Sequence, residues 1–260
     1  MSPGAALLPI RAFIRSARRP ALLAALFGTL ALAGCVSELE RAKAGSIYKA
    51  TFVRLDERNM DLTAPILVRV FKESKELEVW KQDRTGSFRL LKTYPVCFYS
   101  GGLGPKLAEG DRQAPEGFYG VRVGQMNPKS IEYLSFNVGY PNAFDRAHGR
   151  TGDSLMIHGG CRSVGCYAMS DEHIEEIYRL AYEAFRGGQT EFQVQAFPFR
   201  MTEANLEAHK ADPNAAFWRN LKRGHDIFEE TARPPQVDVC DKDYVFGPEG
   251  TPGSCTARRI

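Results

Sequence analysis

Apolar and polar positions alternate with a period of two in several short runs of the chain. "PILVRVF" (Pro65 to Phe71) and "ELEVWKQ" (Glu76 to Gln82), split by the polar "KESK", predict a hairpin. "FRLLKTYPVCFYSGG" follows "DRTGS" and predicts a third strand of the same meander. "GLGPKLAEGDRQAPEG" is dense in turn residues and predicts a surface loop, with a type II turn at Pro115-Glu116-Gly117. "FYGVRV" (Phe118 to Val123) and "EFQVQAF" alternate again, the second with Phe192, Val194 and Ala196 on one side. "DSLMIHGG" reads as a strand ending at His158. After Met169 the period changes to that of a helix. Ser170 stands ready to cap it, Asp171 and Glu172 suit its first turn, and Gly187-Gly188 ends it. Ile174, Ile177, Tyr178, Ala181, Ala184 and Phe185 share its apolar face. A short helix is expected in "MTEANLEAHK", then a longer one in "DPNAAFWRNLKRGHDIFEE" with Asp212 as cap and Pro213 in the first turn. Pro234-Pro235 stops the helical region, and the last 25 residues show no clear period. No internal repeat or low-complexity block interrupts the chain.

The first 35 residues change the picture. Arg11, Arg15, Arg18 and Arg19 precede the apolar run Ala21 to Ala33, which is too short for a membrane span of about 20 residues and suits an export signal. The run ends in "LAGC", so Cys35 matches the lipid-attachment cysteine of bacterial lipoprotein signals, with ordinary cleavage after Ala33 as the alternative. The expected organisation is a signal over 1–34, a tether and domain entry over 35–63, a catalytic domain over 64–200 and a helical extension with its tail over 201–260. The net charge of +3 belongs to the signal: without its four arginines, 30 basic residues face 31 acidic ones. That balance gives no basic face for nucleic acid. The expected address is the cell envelope, outer membrane favoured because Val36 rather than aspartate follows Cys35.

Cysteines are Cys35, Cys97, Cys161, Cys166, Cys240 and Cys255. With Cys35 lipidated, five remain in a disulfide-forming compartment, so one thiol is left over. Cys97 reads as buried, Cys161 as a packed residue or a disulfide partner, and Cys240 with Cys255 as a staple of the tail. The stretch "HGGCRSVGCYAM" (His158 to Met169) admits three chemistries. A zinc site would use His158, Cys161, Cys166 and His173, though its spacing fits no familiar pattern. A Cys161–Cys166 disulfide would close a small loop. A thiol nucleophile with an imidazole beside it explains most. Ser163-Val164-Gly165 turns the chain tightly before Cys166, and the N–H groups of Gly165 and Cys166 could face an oxyanion. The remaining histidines, His148, His173, His209 and His225, read as solvated, and the aromatic residues of "FWRNLKRGHDIF" as helix core.

"GDSLMIHGGCRSVGCYAM" resembles the catalytic segment of the YkuD-type L,D-transpeptidases, and its compact histidine-to-cysteine loop is similar to the YafK-like branch. "APEGFYGV", "LSFNVGYPNAFDR", "FPFRMT" and "FWRNLKRGHDIFEET" extend the resemblance in order along the chain. It implies a β-rich α+β fold, a mixed β-sandwich or barrel with a helical C-terminal appendage, and a metal-free enzyme without cofactors. Its implied substrates are peptidoglycan stem peptides, attacked at the carbonyl of a diaminopimelate-type third residue through a thioester. Carried over, Cys166 is the nucleophile, His158 the base, Gly159 offers its carbonyl to the histidine, and Ser163 and Gly165 match the motif's hydroxyl and glycine. Tyr140, Asn137 and Arg146 are candidates for a substrate groove or for loop support. The chain departs from the usual pattern: Val164 stands where many members have histidine, Tyr167 and Ala168 where an arginine follows the cysteine, and the histidine-to-cysteine spacing is shorter. Two alternatives follow: an amidase releasing peptidoglycan-linked lipoprotein by the same chemistry, and a non-catalytic peptidoglycan-binding lipoprotein held to the membrane by its anchor.

Overall fold

The computed structural model describes residues 48–247 and the backbone of 258–259. The signal, Cys35, the tether up to residue 47 and Cys255 lie outside the described residues.

Two five-stranded sheets carry the domain. In the first, β1 (Ile66–Phe71), β2 (Glu76–Gln82) and β3 (Phe88–Pro95) form the expected antiparallel meander. β1 also pairs in parallel with β10 (Glu191–Phe197), and β10 pairs antiparallel with β5 (Gly117–Arg122), giving the order β3-β2-β1-β10-β5. The second sheet has the order β4-β9-β8-β7-β6 and uses strands of only two or three residues. These are β4 (Phe98–Tyr99), β6 (Met126–Asn127), β7 (Ser135–Asn137), β8 (Met156–His158) and β9 (Tyr167–Ala168). The expected third strand therefore splits. Pro95 ends β3 on a sheet edge, where its missing N–H breaks no ladder, and the chain crosses to the second sheet at Val96-Cys97.

The apolar sides of both sheets meet in one core. Val68, Val79, Val121 and Val194 of the first sheet join Phe136, Ile157 and Tyr167 of the second. Helix α3 (Asp171–Arg186) adds Ile174, Ile177, Leu180, Ala181 and Ala184 to this core, and Ser170 Oγ caps it by accepting from the His173 N–H at 3.2 Å. Ahead of the sheets, α1 (Tyr48–Glu57) occupies part of the segment expected to be tether and domain entry, and Thr51 Oγ1 donates to Glu176 of α3 at 2.9 Å. A short helix, α2 (Ala143–Ala147), follows β7.

The other face of the first sheet is covered by the C-terminal segment. Helices α4 (Glu203–Ala208) and α5 (Ala215–Thr231) form as expected, but α5 starts at Ala215. Asp212 uses Oδ1 to hold the Asn214 N–H at 2.7 Å, turning the chain before the helix rather than capping it. The tail without a clear period is a small sheet of β11 (Val237–Cys240), β12 (Asp243–Phe246) and β13 (Arg258–Arg259). Trp218 and Leu221 of α5 pack with Phe71, Phe118, Phe197, Tyr244 and Phe246 in a second core. Because both faces of β1 are covered, its polar residue Arg69 is only 1% exposed, with its guanidinium beside Phe228 and bonded to Glu229 at 2.5 Å.

The loop between β4 and β5 is not simply a surface feature. Gly104, Pro105 and Lys106 are buried, and the expected turn at Pro115–Gly117 is extended chain entering β5. Its Glu116 is completely buried against Lys72 at 3.0 Å and accepts from Gly104 N and Trp218 Nε1, each at 2.8 Å. Three of the histidines expected on solvated faces are half-buried on aromatic rings: His173 on Tyr94, His209 on Phe199 and His225 on Phe197.

Candidate active site

Register brings the sequence's candidate residues together. β8 and β9 pair in parallel, with Ile157 opposite Tyr167 and His158 opposite Ala168. One step back along the ladder, Cys166 lies beside Met156, whose N–H points to Cys166 Sγ at 3.2 Å. Residues two apart on a strand share a face, so His158 and Cys166 are diagonal neighbours on one side of the sheet. The ladder thus sets the pair close in space although seven residues separate them.

His158 is 6% exposed, and its Nδ1 lies 2.7 Å from the Gly159 carbonyl. A carbonyl only accepts, so a neutral ring carries its proton on Nδ1 and presents the Nε2 lone pair. Gly159 leaves no room for a side chain. A Cβ there would lie 2.6 Å from Asp171 Oδ1 and 2.7 Å from the Glu132 carbonyl.

Cys166 is half-buried and is the free cysteine among the described residues. Burial pushes its thiol pKa up, against the pull of the Met156 N–H, the Ser163 hydroxyl and the Lys106 charge. The resting group is therefore a protonated thiol, which would need a base in order to act as a nucleophile. Ser163 shapes the turn around it rather than touching the histidine: its Oγ accepts from Cys166 N and donates to Cys166 O, both at 2.8 Å. Gly165 adopts φ +94°, the left-handed region that glycine reaches without cost. Its N–H donates to Ser100 Oγ. The two amides expected to face an oxyanion are thus both engaged by hydroxyls, Ser100 and Ser163.

Cys161 is bonded to Cys97, 64 residues away and exposed rather than buried. That bond excludes the Cys161–Cys166 disulfide and removes Cys161 as a zinc thiolate. Cys240 is also disulfide-bonded.

Of the groove candidates, Asn137 ends β7 opposite Met156, while Tyr140 and Arg146 lie further along, before and on α2. Asn137 Oδ1 accepts from Gly139 N at 2.7 Å, and Tyr140 is 4% exposed with its hydroxyl near the Lys106 and Thr151 carbonyls at 3.4 and 3.3 Å. Arg146 is exposed on α2 and donates back to the Pro141 carbonyl.

Residues 65–194 match the YkuD family, described as the L,D-transpeptidase catalytic domain. The chain is also 44% identical over 201 residues to the Escherichia coli (strain K12) protein named "Putative L,D-transpeptidase YafK", covering 77% of this chain and 81% of that one. The chain belongs to the L,D-transpeptidase family. The Escherichia coli O157:H7 protein of the same name matches equally, at 44% identity over the same shares of each chain. Among solved structures, the helical cell shape determining protein Pgp2 (K307A mutant) of Campylobacter jejuni is similar with a TM-score of 0.43 and 20% identity, over 68% of this chain and 63% of that chain. Bd1075 of Bdellovibrio bacteriovorus is similar with a TM-score of 0.37 and 17% identity, over 65% of this chain and 58% of that chain.

Within this L,D-transpeptidase domain, the place where an arginine is usual belongs to the core. Tyr167 and Ala168 are 1% and 0% exposed, and the Tyr167 hydroxyl donates to the Pro115 carbonyl at 2.6 Å. Two residues around this site were missed in the sequence: Ser100, which holds the Gly165 N–H, and Lys106, packed under Gly152 of the segment that reaches the thiol. Both lie in stretches dominated by glycine and turn residues, where no periodicity singles out a side chain that folds inward.

Proposed function

We propose that this L,D-transpeptidase family member acts on peptidoglycan stem peptides by thiol acyl transfer. The observation that carries the reading is the β8–β9 register, which sets a half-buried thiol diagonal to an imidazole held through Nδ1. His158 Nε2 takes the Cys166 proton as Sγ attacks the carbonyl of a diaminopimelate-type third residue. The C–N bond then breaks, the His158 proton goes to the leaving amine, and a thioester remains. An incoming amine or water attacks this thioester and restores the thiol. Transpeptidation is the reaction the family match favours; an amidase releasing peptidoglycan-linked lipoprotein shares every group up to the thioester. Export and lipid attachment at Cys35 belong to the same proposal, supported by the arginine-rich start, the short apolar run and "LAGC".

Mass spectrometry of peptidoglycan, with and without bound lipoprotein, tests the reading after incubation with the enzyme and with Cys166→Ala. New 3-3 cross-links or exchanged terminal residues from wild type alone identify a transpeptidase. Released protein or tripeptide ends without new cross-links identify the amidase. Identical products from wild type and Cys166→Ala refute the thiol chemistry and leave a peptidoglycan-binding lipoprotein.

A further inference from the structure

β9 supplies no charge to the thiol, because Tyr167 and Ala168 fill the core beyond it. A cation comes instead from the loop between β4 and β5. Lys106 is 4% exposed, and its Nζ donates to the Ala108 carbonyl at 2.8 Å and to Asp111 Oδ1 at 2.5 Å. A buried ammonium survives only with such partners. Asp111 is itself held, by Leu107 N at 2.8 Å, Ala108 N at 3.0 Å and Gln113 N at 3.0 Å.

The lysine lies against the segment that reaches the thiol. Gly152, at φ +105°, has no side chain, and a Cβ there would stand 3.1 Å from Lys106 Cε. Thr151 binds the same loop twice: its N–H donates to the Leu107 carbonyl at 3.1 Å, and its hydroxyl accepts from Glu109 N at 3.1 Å. Further along, the Ser154 carbonyl lies 3.9 Å from Cys166 Sγ and the Met156 N–H 3.2 Å. The 151–156 segment therefore touches Lys106 at one end and the thiol at the other.

Other charged groups surround the site. His158 is on β8, and Arg162 is exposed in the loop of Cys166. Arg150 is engaged with Asp145 at 2.8 Å, Asp153 and Glu109 are exposed, and Glu116 is engaged with Lys72. Lys106 is the buried cation packed under the segment that reaches Cys166, and a positive charge there favours the ionised thiol.

We propose that Lys106 is a positioning residue of this site: its ammonium, fixed by Asp111 and the Ala108 carbonyl under the 151–156 segment, is the counter-charge against which the Cys166 thiolate forms. The proposal rests on Cys166 being the nucleophile. It gives Asp111 a second task, setting how much of that charge the thiol feels.

The test is the pH–rate profile of iodoacetamide alkylation at Cys166, followed by peptide mass spectrometry on the full chain without any stem peptide. Lys106→Gln should slow alkylation at pH 7 about tenfold and move the profile to higher pH. Asp111→Asn keeps the lysine and removes its compensating charge, so alkylation should speed up. Opposite signs separate a field effect from general damage, which would move both variants the same way. Wild-type alkylation rates in Lys106→Gln, or a slower thiol in Asp111→Asn, overturn the proposal. If Lys106→Gln fails to fold, Asp111→Asn alone decides it. Because no stem peptide is present, an enzyme inert on peptidoglycan whose alkylation shifts as expected refutes the proposed function and leaves the role of Lys106 standing.

Discussion

The Cys97–Cys161 bond can be removed by two serines, and the cost follows from its span. The bond closes 64 residues of chain, linking the crossing between the two sheets to the loop that carries Cys166. In the chain-entropy account, a loop of this length restricts the unfolded state by about 4 kcal/mol at 25 °C. For a domain of roughly 200 residues, 1 kcal/mol shifts the melting temperature by about 2–4 °C, so Cys97→Ser/Cys161→Ser should melt about 8–16 °C below wild type. Circular-dichroism melts with and without a phosphine reductant provide the assay. Reductant, which also opens the Cys240 disulfide, should bring wild type and double variant to a common midpoint, at or below that of the untreated double variant. A double variant melting within about 2 °C of wild type would refute the loop-closure argument, as would a Cys161–Cys166 cross-link in the peptide map of wild type. Reduced protein should also lose activity although Cys166 stays a thiol. Its loop would then keep Gly160 N to Asp171 Oδ1 at 2.8 Å, Cys161 N to the Met169 carbonyl at 3.2 Å and Gly165 N to Ser100 Oγ.

The buried Lys72–Glu116 pair gives a second expectation. Glu116→Ala strands a fully buried ammonium and two N–H donors, and should cost about 3–5 kcal/mol in urea unfolding, whereas Lys72→Met/Glu116→Gln should recover much of it. Asp111 gives a third. Burial raises its carboxyl, but the Ala108 N–H, Lys106 and the Leu107 and Gln113 N–Hs outweigh this and hold it at about 2, below the ordinary 3.8. A depressed folded-state pKa stabilises fully above the unfolded value, and that stability is lost as the pH falls towards the folded one. Between pH 4 and pH 2 the wild-type melting temperature should therefore fall more steeply than that of Asp111→Asn; parallel curves would rule this out.

Legibility followed the length of each element. Helix α3 was readable from end to end, because Ser170, the spacing of its apolar residues and Gly187 are local signals that agree. The meander was equally plain. β4, β6 and β9 have two residues each, too few to display a period, and β11 and β12 carry charges beside their apolar residues. The core beneath α5 buries Arg69 through contacts distant in sequence, and Lys106 is buried only because Asp111 and the 151–156 segment close around it. Local pattern has no access to such partners. The proposed chemistry is concentrated in one stretch, since His158, Gly159, Ser163, Gly165 and Cys166 fall within nine residues, while Ser100 comes from another strand's end.

The shortness of β8 and β9 also bears on the compact loop that set this sequence apart from many relatives. Joining neighbouring parallel strands ordinarily takes a dozen or more residues, because the chain must travel back the length of a strand. Here the return is only two or three residues long, and eight residues suffice. Loop length is therefore a matter of route, and register is what brings imidazole and thiol to the same face. A family member with more residues between its histidine and cysteine need only take a longer path to the same rung.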